Sequence, residues 1–169
     1  MCHGSGKTNR CEEIKMVRYA NYEEPEQINR LRKQVNELHC KGRPDIFRSG
    51  FCREMQDVIF DMLESEESDI IVAERNGVIC GFACVEYAVK PLSPYSLERK
   101  YYHIVEFGVD EKYRRQGVAS EMLDFIREEA KKKNYDKIEL DMWEFNENAL
   151  KFYEAVGFRT YRRYMELDI

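Results

Sequence analysis

The sequence contains no Cys-x-x-Cys pair, no apolar run approaching the roughly 18–20 residues of a membrane span, and no surplus of positive charge. The first absence argues against a metal site. The six cysteines, at 2, 11, 40, 52, 80 and 84, are scattered, and Cys80 and Cys84 sit in an apolar stretch as small hydrophobes do. Reduced thiols, without disulfide or metal, are expected. The second absence predicts no transmembrane helix, and the lack of a signal-peptide core near Met1 predicts a cytoplasmic protein. The third, a net charge of −5, argues against nucleic acid as the main partner, because phosphate binding needs a basic surface. It leaves a cationic substrate open, though such charge often serves solubility alone. No internal repeat occurs.

What is present is an ordinary globular composition. The 169 residues are 43% hydrophobic and 35% charged, enough for one domain with a proper core. Residues 1–12 show no periodicity and are expected to form a disordered or tag-like tail, with a single domain over 13–169. Gly4-Ser5-Gly6-Lys7-Thr8 looks like the end of a phosphate loop. That motif needs a glycine five residues before Gly6 and a preceding strand, and position 1 is Met, so it is rejected.

A short strand is predicted over 14–20. Ile28, Leu31, Val35 and Leu38 then recur at helical spacing behind Asn21 and Pro25. A second helix is predicted over 51–63. The loop between them carries Arg43, Phe47 and Arg48 and is either plain connection or the border of a cleft. Asn76-Gly77 joins strands 69–74 and 78–89 and predicts an antiparallel hairpin. After a Pro91–Pro94 loop come a strand over 102–109, a helix from Gly117 to Ala130, a strand over 138–143, a helix over 146–156 capped by Gly157, and a last strand over 158–167. The strand–helix–strand unit implies a parallel crossover.

The most informative stretch joins the strand ending at Val109 to the helix opening at Gly117. Val118, Met122, Ile126 and Ala130 give that helix an apolar stripe, and Arg114-Arg115-Gln116-Gly117-Val118-Ala119 opens it. Gly117 and Ala119 let a ligand approach the backbone. The first amides of a helix have no partner within it, and with the dipole and two arginines they suit a diphosphate. Arg114, Gly117 and Ala119, flanked by Tyr113 and Ser120, resemble the Arg/Gln-x-x-Gly-x-Gly/Ala pyrophosphate loop of the GNAT family of acyl-CoA-dependent N-acyltransferases. A second resemblance is Asn146, Ala149, Tyr153, Gly157 and Phe158, five of five positions in Asn-x-x-Ala-x-x-x-Tyr-x-x-x-Gly-Phe.

The resemblance, clear over about residues 69–165, implies an α/β fold: a mixed, mostly antiparallel sheet of six to seven strands, about four flanking helices, and splayed parallel central strands. It implies acetyl-CoA as cofactor, and contacts from Phe107, Gly108, Val109, Arg114, Arg115, Gln116, Gly117, Val118, Ala119, Ser120, Asn146, Ala149, Phe152 and Tyr153. In the family the pantetheine arm threads between the splayed strands, the Val109 amide would polarise the thioester carbonyl, and Tyr153 would lie beside the sulfur.

Tyr153 is the general-acid candidate for the departing thiolate, with aromatic packing as the alternative. A primary amine, with a pKa of about 10, must lose a proton before attack. His103, Glu106 or ordered water takes it. Strict alternation places His103, Val105, Phe107 and Val109 on one face and Glu106 on the other, unless a bulge intervenes. Tyr95, Tyr101, Tyr102, Trp143 and Phe145 are candidates for an aromatic wall facing an amine. The function expected is direct acetyl transfer from acetyl-CoA to a primary amine of a small molecule or peptide, with no membrane partner. A CoA-binding sensor without turnover is the alternative. Related proteins are frequently dimers, so a homodimer is among the expectations.

Overall fold

The computed structural model describes residues 15–169; residues 1–14, with the Gly4–Thr8 segment, Cys2, Cys11 and Ile14, lie outside the described residues. One sheet runs in the order β1 (Lys15–Tyr19), β2 (Ser68–Arg75), β3 (Val78–Lys90), β4 (Arg99–Val109), β5 (Ile138–Leu140). Neighbours are antiparallel except β4 and β5, which are parallel. Four helices cover it: α1 (Pro25–Gly42), α2 (Arg53–Glu64), α3 (Val118–Lys132) and α4 (Glu147–Ala155).

The hairpin turn has positive φ at both Asn76 (50°) and Gly77 (81°), the pair of angles a type I′ turn demands. β2 and β3 are apolar on both faces because both faces are covered. On one side Ile71, Ala73, Ala83, Val85, Tyr102 and Ile104 pack under Met122, Leu123 and Ile126 of α3. On the other, Ile70, Val72, Phe82 and Cys84 pack under Ile28 and Leu31 of α1 and Ile59 of α2. The α1 stripe differs from expectation at its end: Leu38 is exposed, while Arg32 is buried among the apolar residues.

The class is the expected one, with five strands rather than six or seven. The strand expected over 158–167 does not form: residues 158–169 belong to no strand or helix. β5 is shorter than expected, ending at Leu140 instead of Trp143. Pairing along β5 requires a straight edge, and beyond Leu140 the chain turns toward α4. Among the described residues no helix is long and apolar enough to cross a membrane, and Cys40, Cys52, Cys80 and Cys84 are free thiols.

Candidate active site

β4 and β5 stay paired only from Tyr102↔Ile138 to Ile104↔Leu140. Past Ile104, β4 keeps its β3 partner and loses β5, so a split opens along Val105–Val109. The direction of the free groups follows from one bond. The Asp110 N–H donates to the Cys80 carbonyl on β3 at 2.8 Å. Backbone groups alternate sides along a strand, so Phe107 and Val109 turn their N–H and C=O toward the split. The Val109 carbonyl there accepts from Arg114 Nε at 3.2 Å.

A bulge changes the face assignment. Cys84 opposes Glu106 and Val85 opposes Ile104, which leaves Val105 as the extra residue. Strict alternation put His103 with Phe107 and Val109, and Glu106 opposite. With the bulge, Phe107 and Val109 join the α3 side with Tyr102 and Ile104. Glu106 turns to α1, on the face that carries His103. The two candidate bases therefore share one side of the sheet.

At the mouth of the split, Gly117 has φ +85° and precedes α3, and Arg115 is also left-handed at φ 60°. The first helical bond is Glu121 N–H to the Gly117 carbonyl at 3.0 Å, so the amides of Val118, Ala119 and Ser120 have no partner within the helix. No side chain caps them. Arg114, Arg115, Gln116 and Gly117 are exposed while Val118 is buried beneath. This turn is held from behind by Asp110, whose carboxylate accepts from the Lys112 N–H at 3.1 Å and pairs with Arg30. A cradle of open amides flanked by two arginines fits a diphosphate. Gly108 has a different duty: a Cβ there would lie 2.6 Å from Phe82 and 2.8 Å from Val35, so glycine lets α1 close onto the strand.

α4 forms the far wall. Asn146 caps it, its side-chain oxygen accepting from the Ala149 N–H at 3.2 Å, which gives the Asn-x-x-Ala spacing a structural reason. Tyr153 is buried, with ring centroids 6.3 Å from Phe107 and 5.5 Å from Phe158; Phe152 stacks on Phe107 at 6.4 Å. Burial pushes the Tyr153 hydroxyl up to about 12, so it holds its proton at neutral pH. Phe107, Phe152 and Tyr153 are thus brought together at the split.

On the opposite face, Glu106 is gripped by Arg32 in a two-pronged pair, Nε to Oε2 at 2.8 Å and Nη2 to Oε1 at 2.7 Å. Arg32 also donates to the Asn29 side chain at 2.9 Å and the Met55 carbonyl at 2.6 Å. Two turns on, His39 stacks on Phe47 at 4.8 Å and meets Phe145 edge-on at 6.3 Å. Burial holds the His39 imidazole below its usual value, against the opposing pull of Glu106. Trp143 meets Phe47 edge-on at 5.1 Å and lies under Arg43. An aromatic wall exists, then, but its members are His39, Phe47, Trp143 and Phe145. Tyr95 is fully exposed and Tyr102 is core, stacked on Tyr87. Tyr101 packs beside His103, whose Nε2 lies 3.7 Å from Asp141. Arg32 and His39 are the residues missed from sequence. An arginine one step past Leu31 in an apolar stripe was the available signal for the first.

The model of the acetyltransferase (GNAT) family matches residues 33–158. The chain belongs to the GNAT family. Among solved structures, a tetramutant of the BH1408 protein of Bacillus halodurans superposes with a TM-score of 0.87 at 31% identity, covering 91% of this chain and 99% of that one. The GNAT fold is shared at 18% identity by AAC(6')-Iy in complex with the bisubstrate analogue CoA-S-monomethyl-acetylneamine, with a TM-score of 0.73 over 92% of this chain and 98% of that one. N-acetyltransferase 8 of Homo sapiens is 25% identical over 108 residues, 64% of this chain and 46% of its own length. A probable N-acetyltransferase family 8 member 5 of Mus musculus matches 53% of its length, so the chain spans about half the length of these curated relatives.

Proposed function

We propose that this GNAT protein is an acetyl-CoA-dependent N-acetyltransferase that transfers an acetyl group directly to a primary amine of a small molecule or peptide. The observation that carries the reading is the cradle of unpartnered amides at Val118–Ser120, opening onto a split strand pair whose Phe107 and Val109 amides face the gap. Bound there, acetyl-CoA would supply the activated acetyl thioester. Arg114 and Arg115 offset the charge of its diphosphate, and Gly117 keeps the approach clear of a Cβ.

The remaining chemistry belongs to side chains of this chain. The Val109 N–H is a donor for charge growing on the carbonyl oxygen. Tyr153 carries the proton for the leaving sulfur. On the α1 side, Glu106 attracts an ammonium group, and Glu106, His103 or neutral His39 takes its proton. The ring faces of Phe47, Trp143 and Phe145 border the same side and suit the body of an amine. No nucleic acid or membrane partner is part of this reading.

The test is calorimetry with coenzyme A followed by thiol release from acetyl-CoA across a panel of primary amines. Affinity together with turnover on at least one amine is expected. Affinity without turnover on any of them leaves a CoA-binding module in place of an enzyme, and no affinity removes the assignment altogether.

A further inference from the structure

Arg75, the last residue of β2, is buried although it ends an apolar row. Ile71 and Ala73 face α3, and alternation puts Arg75 on the same side of the sheet. A buried guanidinium needs a partner, whereas an aliphatic residue would continue the row without one. The partner is Glu121, in the first turn of α3 beside the open amides of Val118, Ala119 and Ser120. Arg75 donates to the Glu121 carboxylate through one arm and to the Glu74 carbonyl through the other, at 3.0 Å. The carboxylate of Glu74 itself pairs with Arg18 at 2.7 Å. Glu121 borders the cradle: its Oε1 lies 3.6 Å from where a Cβ on Gly117 would stand. A carboxylate in that place opposes a diphosphate in two ways. It repels the like charge, and it competes for an amide. The positive end of the helix dipole favours an anion there. In a capping box a glutamate reaches the N–H three residues back, and three residues before Glu121 is Val118. Yet no side chain caps α3; the carboxylate is turned to Arg75 instead.

We propose that Arg75 is a positioning residue for coenzyme A: it holds the Glu121 carboxylate off its own helix start, so that the Val118–Ser120 amides stay open to the diphosphate. The inference rests on the reading of that cradle as the coenzyme A site. Arg75 acts through Glu121, behind which it is buried. The unequal burial of the pair suits this duty. The Arg75 side chain is 3% exposed and that of Glu121 40%, so the cation is fixed and the anion is the half that swings once released. The pairing also cancels a negative charge that would otherwise stand beside Arg114 and Arg115 at the mouth of the split. Neutralising Arg75 leaves a solvated glutamate rather than a buried charge, so the fold is expected to tolerate it.

The experiment is calorimetric titration of the full chain with coenzyme A in three forms: the parent, Arg75→Met, and Arg75→Met combined with Glu121→Ala. Arg75→Met is expected to raise the dissociation constant about tenfold, the effect of losing one hydrogen bond to a charged group, with an unchanged far-ultraviolet spectrum. The double substitution is expected to return to within about threefold of the parent, because the competing carboxylate is gone. A double substitution as weak as the single means that Arg75 acts by its own charge or by packing, and overturns the proposal. So does a single substitution that binds like the parent. A parent without affinity overturns the reading of the cradle itself, and this inference with it. Should Arg75→Met fail to fold, Arg75→Gln, which keeps a donor for the Glu74 carbonyl, replaces it in both forms with the same expectations.

Discussion

Replacing Glu106 by Gln tests how the α1 side of the cleft is held. Arg32 is 6% exposed and meets Glu106 through two charge-assisted bonds of 2.7 and 2.8 Å. Glutamine keeps one acceptor oxygen, loses the second and removes the opposing charge. Arg32 retains Asn29 and the Met55 carbonyl, so its buried guanidinium is not wholly orphaned. A hydrogen bond to a charged group is worth about 1.5–3 kcal/mol, and breaking a fully buried pair about 3–5. The Glu106 side chain is 30% exposed, which places the expected loss at the low end, about 2 kcal/mol. For a chain of this length that is a fall in Tm of roughly 4–8 °C by calorimetry. The control is Asp57→Asn, which breaks the solvated pair with Arg53, 90% and 55% exposed, and is expected to cost under about 0.5 kcal/mol. If Glu106→Gln costs no more than that control, Arg32 is not relying on Glu106, and the claim that this pair fixes α1 to β4 is wrong.

Tyr153→Phe is expected to lower turnover at least about tenfold, a threshold set below the roughly 100-fold floor of general-acid contributions, with coenzyme A affinity barely changed; unaltered turnover removes the acid role. Gly117→Val places a branched residue at φ +85° and is expected to weaken coenzyme A binding about tenfold or more by calorimetry, while affinity equal to the parent's would move the diphosphate elsewhere. A Cβ at Gly42 would overlap the Phe145 ring, so Gly42→Ala is expected to cost about 1–3 kcal/mol and to shift the emission of Trp143, the sole tryptophan. An unshifted spectrum would separate Gly42 from the aromatic wall. Hydrogen bonds from Arg18 hold the Glu24 carboxyl below its ordinary value of 4.5. Its folded pKa being depressed, the contribution is present above that ordinary value and is lost as pH falls through the folded one. The stability gap between the parent and Glu24→Gln should therefore narrow as pH falls below about 4.5, and a constant gap would contradict the pairing.

How much of the site was legible depended on the distance over which each feature is decided. Gly117 and the helix stripe behind it are local, and so is Asn-x-x-Ala, which the structure explains as an N-cap. The bulge at Val105 is not local. It arises from how β3 and β4 register, and neither strand's sequence marks it, yet it alone brings Glu106 to the face of His103. The aromatic wall was half legible: Trp143 and Phe145 were named, but His39 and Phe47 join them only because α1 and its following loop dock over the end of β5. The expected last strand does not form: residues 158–169 pair with no other strand, although their alternation had pointed to one.

By itself the sequence determined five strands and four helices in their order, the parallel crossover and the left-handed glycine that opens α3, because periodicity, caps and glycine angles act over a few residues. Tertiary structure decided where β4 and β5 part, which face Glu106 takes, that buried Arg32 holds it, and that residues 159–169 stay unpaired. Each of these is settled by groups far apart in the chain competing for the same backbone bonds or the same buried volume, a contest no local pattern records.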